Sequence, residues 1–330
     1  MFDLIFWIAV FVISLAILIK ASDYFTDSAE KIGLHFKIPA FIVGVTIVAI
    51  GTSLPELISS IIAVFASSPE IIVGNVIGSN ITNIFLILGI TAIVGKKIGL
   101  TWELKHVDIP FLVGSSFLLA FVLFDGVIGL LESILLLVVL IVYITYTISS
   151  RGRRQKVPGI EIKKEIKKEK KLLKESKRLS PKVWIILILG GVFIYFGAQF
   201  TIEAIIQLSS IIGVGKGLIA LTALALGTSL PELVVSITAA KKGQPEMAVG
   251  NVLGSNIFNA LAVISIPGII SVVAFATPIQ FTFSAFLVGM LLLATILYYF
   301  VVEDKQITKW EGMLFIAFYI FFLFSVLGFA

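Results

Sequence analysis

Ten apolar stretches run along the 330-residue chain, separated by shorter segments that carry most of its charged residues. A helix needs about 20 predominantly apolar residues to cross the hydrocarbon core of a bilayer, and the stretches have lengths of that order. The pattern therefore predicts an all-α polytopic membrane protein with ten transmembrane helices. The predicted spans are 3–20, 38–66, 70–95, 107–124, 127–148, 183–202, 212–240, 247–273, 280–301 and 309–328.

The composition supports this fold class and removes several kinds of chemistry. The chain is 58% hydrophobic and only 14% charged, with a mean hydropathy of +1.11. Ordinary soluble domains are about a quarter charged. Because the chain contains no cysteine, disulfides, thiolate metal sites and cysteine nucleophiles are excluded.

The basic residues fall almost entirely on one side of the predicted membrane. Of the 25 Lys and Arg residues, 24 lie in alternate loops that share one face, and only Lys216 lies on the other. Cytoplasmic loops carry an excess of Lys and Arg, so that face is predicted to be cytoplasmic and both termini to lie outside. This distribution also explains the net charge of +5 without a nucleic-acid partner.

A charged central segment divides the chain into two groups of five spans. We expect a first five-helix unit over 1–150, a cytoplasmic basic linker over 151–182 and a second unit over 183–330. The linker is interpreted as a solvated segment that follows the positive-inside rule. Docking to anionic lipid or to a partner is the alternative, since basic juxtamembrane clusters attract anionic headgroups.

An internal repeat relates the two groups. Aligned at an offset of 176 residues without gaps, 51–83 and 227–259 agree at 21 of 33 positions. The full motifs cover 46–83 and 222–259. Because each unit has five spans, an odd number, the second copy must enter the membrane in the opposite direction. Inverted repeats are typical of secondary transporters, whose binding sites lie near the midplane where the repeats meet.

Each motif carries polar residues at membrane depth. The paired phrases are "GTSLPEL" with "GNVIGSN" and "GTSLPEL" with "GNVLGSN". Residues three and four positions apart share a face of a helix, which groups the hydroxyls with the carboxylate in one helix and with the amide in the next. The grouped residues are Thr52, Ser53, Glu56, Ser79 and Asn83 in the first half and Thr228, Ser229, Glu232, Ser255 and Asn259 in the second.

A proline directly before each glutamate predicts a broken helix. Pro55 and Pro231 lack a backbone N–H and push the preceding residue away from helical geometry. Gly51 and Gly227 loosen the same turn. The freed carbonyl oxygens are costly in lipid unless they face protein, water or an ion.

The predicted cluster offers only oxygen ligands: two carboxylates, hydroxyls, amide oxygens and backbone carbonyls. Such a set suits Ca²⁺, Mg²⁺ or Na⁺ and argues against zinc or copper. A protonated, hydrogen-bonded glutamate is the alternative for one such residue, but two at equivalent repeat positions favour a cation site. Gly74, Gly78, Gly250 and Gly254 form G-x-x-x-G spacings, which predict close packing of the polar helices.

These motifs, duplicated in inverted halves, resemble the sodium/calcium exchanger family of the calcium/cation antiporter superfamily, in its form without regulatory domains. The resemblance implies ten helices, of which the second, third, seventh and eighth surround four cation sites. It implies Glu56 and Glu232 as central Ca²⁺ ligands, joined by the carbonyls of Thr52 and Thr228. The implied flanking Na⁺ ligands are Ser53, Ser229, Ser79, Ser255 and the carbonyls of Ala49 and Ala225, with Asn83 and Asn259 at the middle.

The expected function is antiport of Na⁺ against Ca²⁺ by alternating access, with the first and sixth helices sliding against the rest. The resemblance implies three Na⁺ per Ca²⁺, hence an electrogenic cycle. It also implies no dependence on potassium, because Asn259 stands where potassium-dependent relatives carry Asp. No permanent cofactor is expected beyond the transported ions.

Other classes stay open at lower weight. A proton/calcium exchanger is the main alternative, although Gly78 and Gly254 stand where that branch carries acidic residues. A cation channel would need a continuous polar path, and a structural scaffold would not need duplicated glutamates. An intramembrane hydrolase is disfavoured, since His35 and His106 both fall in predicted loops.

Overall fold

A computed structural model of the protein describes residues 2–36, 38, 40–65, 70–95, 97–99, 108–149, 180–212, 228–282, 284–302 and 306–326. Within these ranges, seven helical stretches are long and apolar enough to cross a membrane, and 109–122 and 285–301 are shorter apolar helices. Of the predicted seventh span, 212–240, the structure describes residue 212 and residues 228–240, with a helix over Leu230–Lys241. Most of the predicted 151–182 linker lies outside the described residues, so its role stays a prediction.

The first five spans contain eight α-helices. The helices are α1 (Phe2–His35), α2 (Ala40–Val43), α3 (Ala49–Thr52), α4 (Leu54–Phe65), α5 (Glu70–Thr82), α6 (Leu88–Gly95), α7 (Ile109–Val122) and α8 (Leu130–Ser149). A π-helical turn, Gly44–Val48, joins α2 to α3, and a second one, Asn83–Ile87, joins α5 to α6.

The second half repeats this plan. Its helices are α9 (Pro181–Ile212), α10 (Leu230–Lys241), α11 (Pro245–Phe258), α12 (Ile264–Phe275), α13 (Ala285–Val301) and α14 (Lys309–Val326). A π-helical turn, Asn259–Val263, joins α11 to α12. It lies 176 residues after the turn at Asn83, so the internal repeat extends to this irregularity of the helix.

The two helices that open the halves are longer than predicted. The spans 3–20 and 183–202 were expected, but α1 continues to His35 and α9 to Ile212. Lys31 and His35, which fall between the first two predicted spans, therefore lie on α1. At 1.5 Å per residue a 34-residue helix is about 51 Å long and extends beyond the hydrocarbon core. The reason is a buried face that continues past the apolar run, through Phe25, Ala29 and Ile32.

The predicted break occurs where expected in the first half, where Ser53 separates α3 from α4 with φ −89° and ψ 4°. In the second half, Ser229 precedes α10 with φ −86° and ψ 1°, and the segment before it lies outside the described residues. In both halves the proline occupies the first turn of the following helix, where its missing N–H is tolerated. Ser53 and Ser229 have nearly identical backbone geometry, as expected of equivalent positions in a repeat.

Two short antiparallel ribbons each pair a strand of the first half with a strand of the second. The strands are β1 (Lys97–Gly99), β2 (Val127–Ile128), β3 (Ile279–Gln280) and β4 (Gln306–Thr308). β1 pairs antiparallel with β4, with Ile98 opposite Ile307. β2 pairs antiparallel with β3, with Ile128 opposite Ile279. In each ribbon, the strand after the third span of one half meets the strand between the fourth and fifth spans of the other.

This reciprocal pairing is the pattern expected of an inverted duplication. One ribbon joins the loops after the third and ninth spans, and the other joins the loops after the fourth and eighth. Loops after odd-numbered and even-numbered spans lie at opposite ends of the bundle. The ribbons therefore connect the two halves at both ends.

The interior consists of two hydrophobic clusters. The larger one draws on the second to fifth and eighth to tenth spans, with Phe41, Phe85 and Tyr298 among its largest buried side chains. The smaller one joins α1 and α9 to α10 and to one face of the second span, through Leu18, Phe25 and other residues. α1 and α9 also share a buried hydrogen bond, from Thr201 Oγ1 to Ser14 Oγ (2.9 Å).

Close helix packing, predicted from the G-x-x-x-G spacing, is confirmed for the second copy. A Cβ atom at Gly250 would collide with the carbonyl oxygen of Phe41, and one at Gly254 would collide with that of Val45. Both glycines thus let α11 approach the backbone of the second span. Around Gly74 and Gly78 the described part of the chain shows no such contact.

Candidate cation site

The predicted polar residues converge between α3–α4, α5, α10 and α11. Ten of the twelve are buried, and Thr228 is partly exposed. The buried residues are Ala49, Thr52, Ser53, Glu56, Ser79, Asn83, Ser229, Glu232, Ser255 and Asn259, of which Ala49 contributes only its backbone. Ala225 lies outside the described residues, so its predicted role stays a prediction.

The carboxylate of Glu232 is held by hydroxyls from both halves. Ser53 Oγ donates to its Oε1 at 3.0 Å, and Ser255 Oγ donates to the same atom at 3.4 Å. The second oxygen, Oε2, is buried and accepts no hydrogen bond in the described part of the chain. One oxygen is thus fixed in position while the other has free acceptor capacity.

The carboxylate of Glu56 is less constrained. Both of its oxygens are buried, and neither accepts a hydrogen bond from a described residue. The side chain lies close enough to Glu232 for the two carboxylates to interact electrostatically. Both glutamates begin a helix, in the first turn of α4 and of α10, where the positive end of the helix dipole favours an anion.

The two threonines make equivalent contacts across the repeat interface. Thr52 Oγ1 donates to Asn251 Oδ1 at 3.1 Å and lies 3.4 Å from Ser255 Oγ. Thr228 Oγ1 donates to Asn75 Oδ1 at 3.0 Å and lies 3.1 Å from the hydroxyl of Ser79. Each threonine therefore faces an asparagine and a serine of the opposite half.

Asn75 and Asn251 were not among the predicted site residues. They are the Asn of each "GN", four positions before the predicted serine, so they lie on the face of the helix that the serine occupies. Asn251 Nδ2 also donates to Ser236 Oγ (3.0 Å) and to the carbonyl of Glu232 (3.4 Å). This four-residue spacing was the sequence signal that could have identified them. Their contacts indicate that these asparagines position the two threonines and, for Asn251, Glu232.

A further pair of asparagines joins the halves beside the site. Asn80 Nδ2 donates to the carbonyl of Asn256 at 3.2 Å, and Asn256 Nδ2 donates to the carbonyl of Val252 at 2.9 Å. Both belong to the "GSN" segments. The side-chain oxygens of Asn80 and Asn256 are buried and accept no hydrogen bond from the described residues.

The remaining predicted ligands are arranged less directly. Asn83 and Asn259 each begin a π-helical turn and are buried, and their side-chain amides make no hydrogen bond within the described ranges. The carbonyl of Ala49 already accepts from Ser53 N (3.0 Å), and Thr52 Oγ1 lies 3.3 Å from it. Ser229 occupies the break before α10.

No basic side chain in the described residues compensates the two carboxylates. The recorded ion pairs join Lys242 to Asp23 and Asp27, away from the site. The described chain also holds no cluster of three or more His, Cys, Asp or Glu residues. Uncompensated buried carboxylates are expensive, so this donor set of two anions and neutral oxygens fits a hard cation.

The fold and the site together define a polytopic membrane transporter for cations, built from inverted repeats. Comparison with known proteins identifies the family. A family model described as sodium/calcium exchanger protein matches residues 6–149 and 182–328. The chain belongs to this family, which confirms the resemblance drawn from its motifs.

Individual relatives match over nearly the full chain. An uncharacterized membrane protein of Methanocaldococcus jannaschii is 31% identical, covering 96% of this chain and 97% of that protein. The sodium/calcium exchanger MaX1 of Methanosarcina acetivorans is 30% identical, covering 95% and 96%. A solved structure of the sodium-calcium exchanger NCX_Mj, soaked with 100 mM Na⁺ and 10 mM Sr²⁺, matches with a TM-score of 0.79 at 28% identity and covers 98% of this chain and 99% of that one.

Proposed function

We propose that this protein exchanges Na⁺ for Ca²⁺ across the membrane as a secondary antiporter working by alternating access. The observation that carries the proposal is the pair Glu56 and Glu232, fully buried at the interface of two inverted repeats and surrounded by oxygen donors alone. Two negative charges match one Ca²⁺, and the same oxygens suit Na⁺.

The roles of the individual residues are part of this proposal. Glu56 and Glu232 bind Ca²⁺ together with the carbonyls of Thr52 and Thr228. The flanking Na⁺ ions use serine hydroxyls and backbone carbonyls, with the two asparagines at the centre. These flanking and central ligands are Ser53, Ser79, Ser229, Ser255, Ala49, Ala225, Asn83 and Asn259.

Antiport follows from the cost of the ion-free state. Without a cation the site holds two buried carboxylates with no basic partner among the described residues, and three of their four oxygens accept no hydrogen bond there. Breaking a buried charge pair by removing one partner costs about 3–5 kcal/mol. That cost opposes rearrangement of the unloaded carrier, so each return step requires a bound ion.

The cycle is proposed to be electrogenic and independent of potassium. Three Na⁺ against one Ca²⁺ transfers one charge, to which the membrane potential contributes about 2.3 kcal/mol per 100 mV. Asn83 and Asn259 supply neutral amides at the centre, which leaves two carboxylates to balance the bound ions. In vesicles, a valinomycin-imposed potential should shift Ca²⁺ uptake, whereas external K⁺ without valinomycin should not.

The central experiment is ⁴⁵Ca²⁺ uptake into proteoliposomes that contain the full chain. Uptake is compared between Na⁺-loaded, K⁺-loaded and acid-inside vesicles, for the wild type and for Glu56→Gln. Glu203→Gln is a matched control, because Glu203 is exposed on α9. We expect uptake only with internal Na⁺, its loss in Glu56→Gln and its retention in the control.

Each other result has a defined meaning. Uptake driven by the proton gradient alone would assign the protein to proton/calcium exchange. Ca²⁺ flux that requires neither a Na⁺ gradient nor a proton gradient would indicate a channel. No Ca²⁺ flux under any condition would refute the proposal.

The orientation of the chain is also proposed: both termini outside, with the basic linker in the cytoplasm. The support is the distribution of Lys and Arg between alternate loops. Because the chain has no cysteine, single cysteines introduced at Asp125 and Lys241 can be labelled without background. A membrane-impermeant maleimide added to intact cells should label the first and not the second, and the reverse pattern would overturn the orientation.

A further inference from the structure

A groove on the membrane-facing surface separates α9 from the broken second span. It encloses about 390 Å³. Ile188 and Val192 of α9 line one wall, and Leu54 and Ile58 of the second span line the other. Apart from the hydroxyl-bearing Tyr195, every lining residue is apolar or glycine. Water or a polar ligand would find almost no hydrogen-bonding partner here.

The groove opens onto the surface that the bilayer covers. Ile188 is 65% exposed, Ile58 45% and Leu54 43%, and all three lie within membrane spans. At this depth the surrounding medium is lipid hydrocarbon, so the groove is continuous with the interface that the protein already forms with acyl chains. This continuity identifies the occupant.

Glycines and one buried aromatic ring shape the floor. Phe25 of α1 is 3% exposed and lines the groove. A Cβ atom at Gly51 would lie 2.7 Å from Phe25 Cζ, and one at Gly191 would lie 3.8 Å from Cε2 of the same ring. Side chains at these glycines would occupy space that the ring or the groove now takes.

The groove borders the smaller hydrophobic cluster. Phe25 of its lining belongs to that cluster, and Ile47 and Leu187 pack against it. The lining residues Gly51 and Pro55 directly precede Thr52 and Glu56. An occupant would therefore lie directly behind the helix break that carries the cation site.

We propose that this groove binds one acyl chain of a membrane lipid, inserted between α9 and the second span. The chain fills the apolar space between the two walls of the groove. Its binding does not depend on which ions are transported, so it stands separately from the proposed exchange activity.

The test uses the full chain in vesicles that contain phosphatidylcholine with a photoreactive diazirine in its acyl chain. After irradiation, adducts are mapped by mass spectrometry. We expect severalfold more adducts at Leu54 and Ile188 than at Ile141, a residue of α8 that is 56% exposed and lies on an ordinary lipid-facing surface. Equal labelling at all three positions would overturn the proposal, because it would indicate only annular contact.

A variant that fills the groove completes the test. Val192→Phe adds volume to one wall at a residue that is 43% exposed, so the substitution need not disturb the interior. Adducts at Leu54 should fall to the level at Ile141, with labelling of Ile141 unchanged. Gly191→Leu, which projects into the same space, should act alike. Persistent labelling of Leu54 in both folded variants would refute a bound chain in the groove.

Discussion

The substitution Glu232→Gln separates the charge of the site from its hydrogen bonds. The carboxylate is fully buried, and its Oε1 accepts from Ser53 Oγ at 3.0 Å and from Ser255 Oγ at 3.4 Å. Glutamine has nearly the same shape and keeps one oxygen that can accept both bonds. The change therefore removes one negative charge and leaves packing and the serine contacts in place.

The substitution is expected to stabilise the ion-free protein and to weaken its stabilisation by bound Ca²⁺. Without cations, the variant lacks one uncompensated buried charge and should be more stable than the wild type by on the order of 3 kcal/mol. Bound Ca²⁺ loses one of its two carboxylates, so its affinity should fall by about two to four decades, from a cost of about 3–5 kcal/mol. At 1,000 times the wild-type Kd, ligand stabilisation of about 4 kcal/mol would drop to about 1.4 kcal/mol or less.

Thermal unfolding followed by tryptophan fluorescence measures both effects in one preparation. Purified protein is heated in chelator without Na⁺, and again with Ca²⁺. The Tm of Glu232→Gln should rise in chelator and respond little to Ca²⁺, whereas the exposed Glu203→Gln should match the wild type in both. A lower Tm in chelator would mean that the carboxylate is a structural group. An undiminished response to Ca²⁺ would mean that Glu232 is not a ligand.

Three further outcomes follow from contacts outside the carboxylates. Asn251→Leu removes the hydrogen bonds of Asn251 to the Thr52 hydroxyl and to the carbonyl of Glu232, at a cost of about 1 kcal/mol each, so half-saturation of ⁴⁵Ca²⁺ uptake should rise by about 5- to 30-fold; an unchanged value would exclude a positioning role. Gly250→Ala introduces a methyl group against a carbonyl of the second span and should destabilise by about 1–3 kcal/mol in thermal unfolding, while Gly289→Ala, with open space around it, should be neutral; equal effects would contradict the close packing. Lys242→Met removes a partly exposed ion pair that joins the end of α10 to α1, so stability should change by at most about 1 kcal/mol. Because this pair holds α1 to α10, exchange turnover should rise without it; slower turnover would refute that restraint on α1.

The sequence predicted those features that local chemistry determines. A proline after Leu54 disrupts the preceding helix, so this break was predictable, and the structure has it at Ser53; the equivalent Ser229 directly precedes α10. The pairing of the polar motifs followed from the duplication. Spacing along a helix then brought hydroxyls and carboxylates together on common faces.

Features that depend on tertiary contacts were not predictable. The extension of α1 to His35 depends on a face buried against other helices, which hydropathy averaged over a window does not register. The contacts of Asn75 and Asn251 join residues 153 and 199 positions apart in sequence. The only sequence evidence for these contacts was the equivalent position of the two asparagines in the repeat. The two ribbons involve strands of two and three residues, too short for any sequence pattern.

The contacts at the site bear on which part of the protein moves. Whereas the hydrogen bonds from Ser255 and Asn251 to Glu232 lie within the second half, those of Thr52, Ser53 and Thr228 to other helices cross from one half to the other. Rotation of one half against the other would break these bonds together, at about 1–3 kcal/mol for each group left unsatisfied, and would strain both ribbons.

Movement of α1 and α9 would break none of these hydrogen bonds between the halves. These helices pack mainly against each other in the smaller cluster, share the bond between Ser14 and Thr201, and contribute no predicted ligand. Their contact with the second span is apolar, and such surfaces can slide without leaving polar groups unpaired. We therefore infer that the repeat interface stays together as the site changes its accessibility, and that α1 and α9 move as a pair against it. The ion pair of Lys242 with Asp27 would then be among the few polar contacts that break in each cycle.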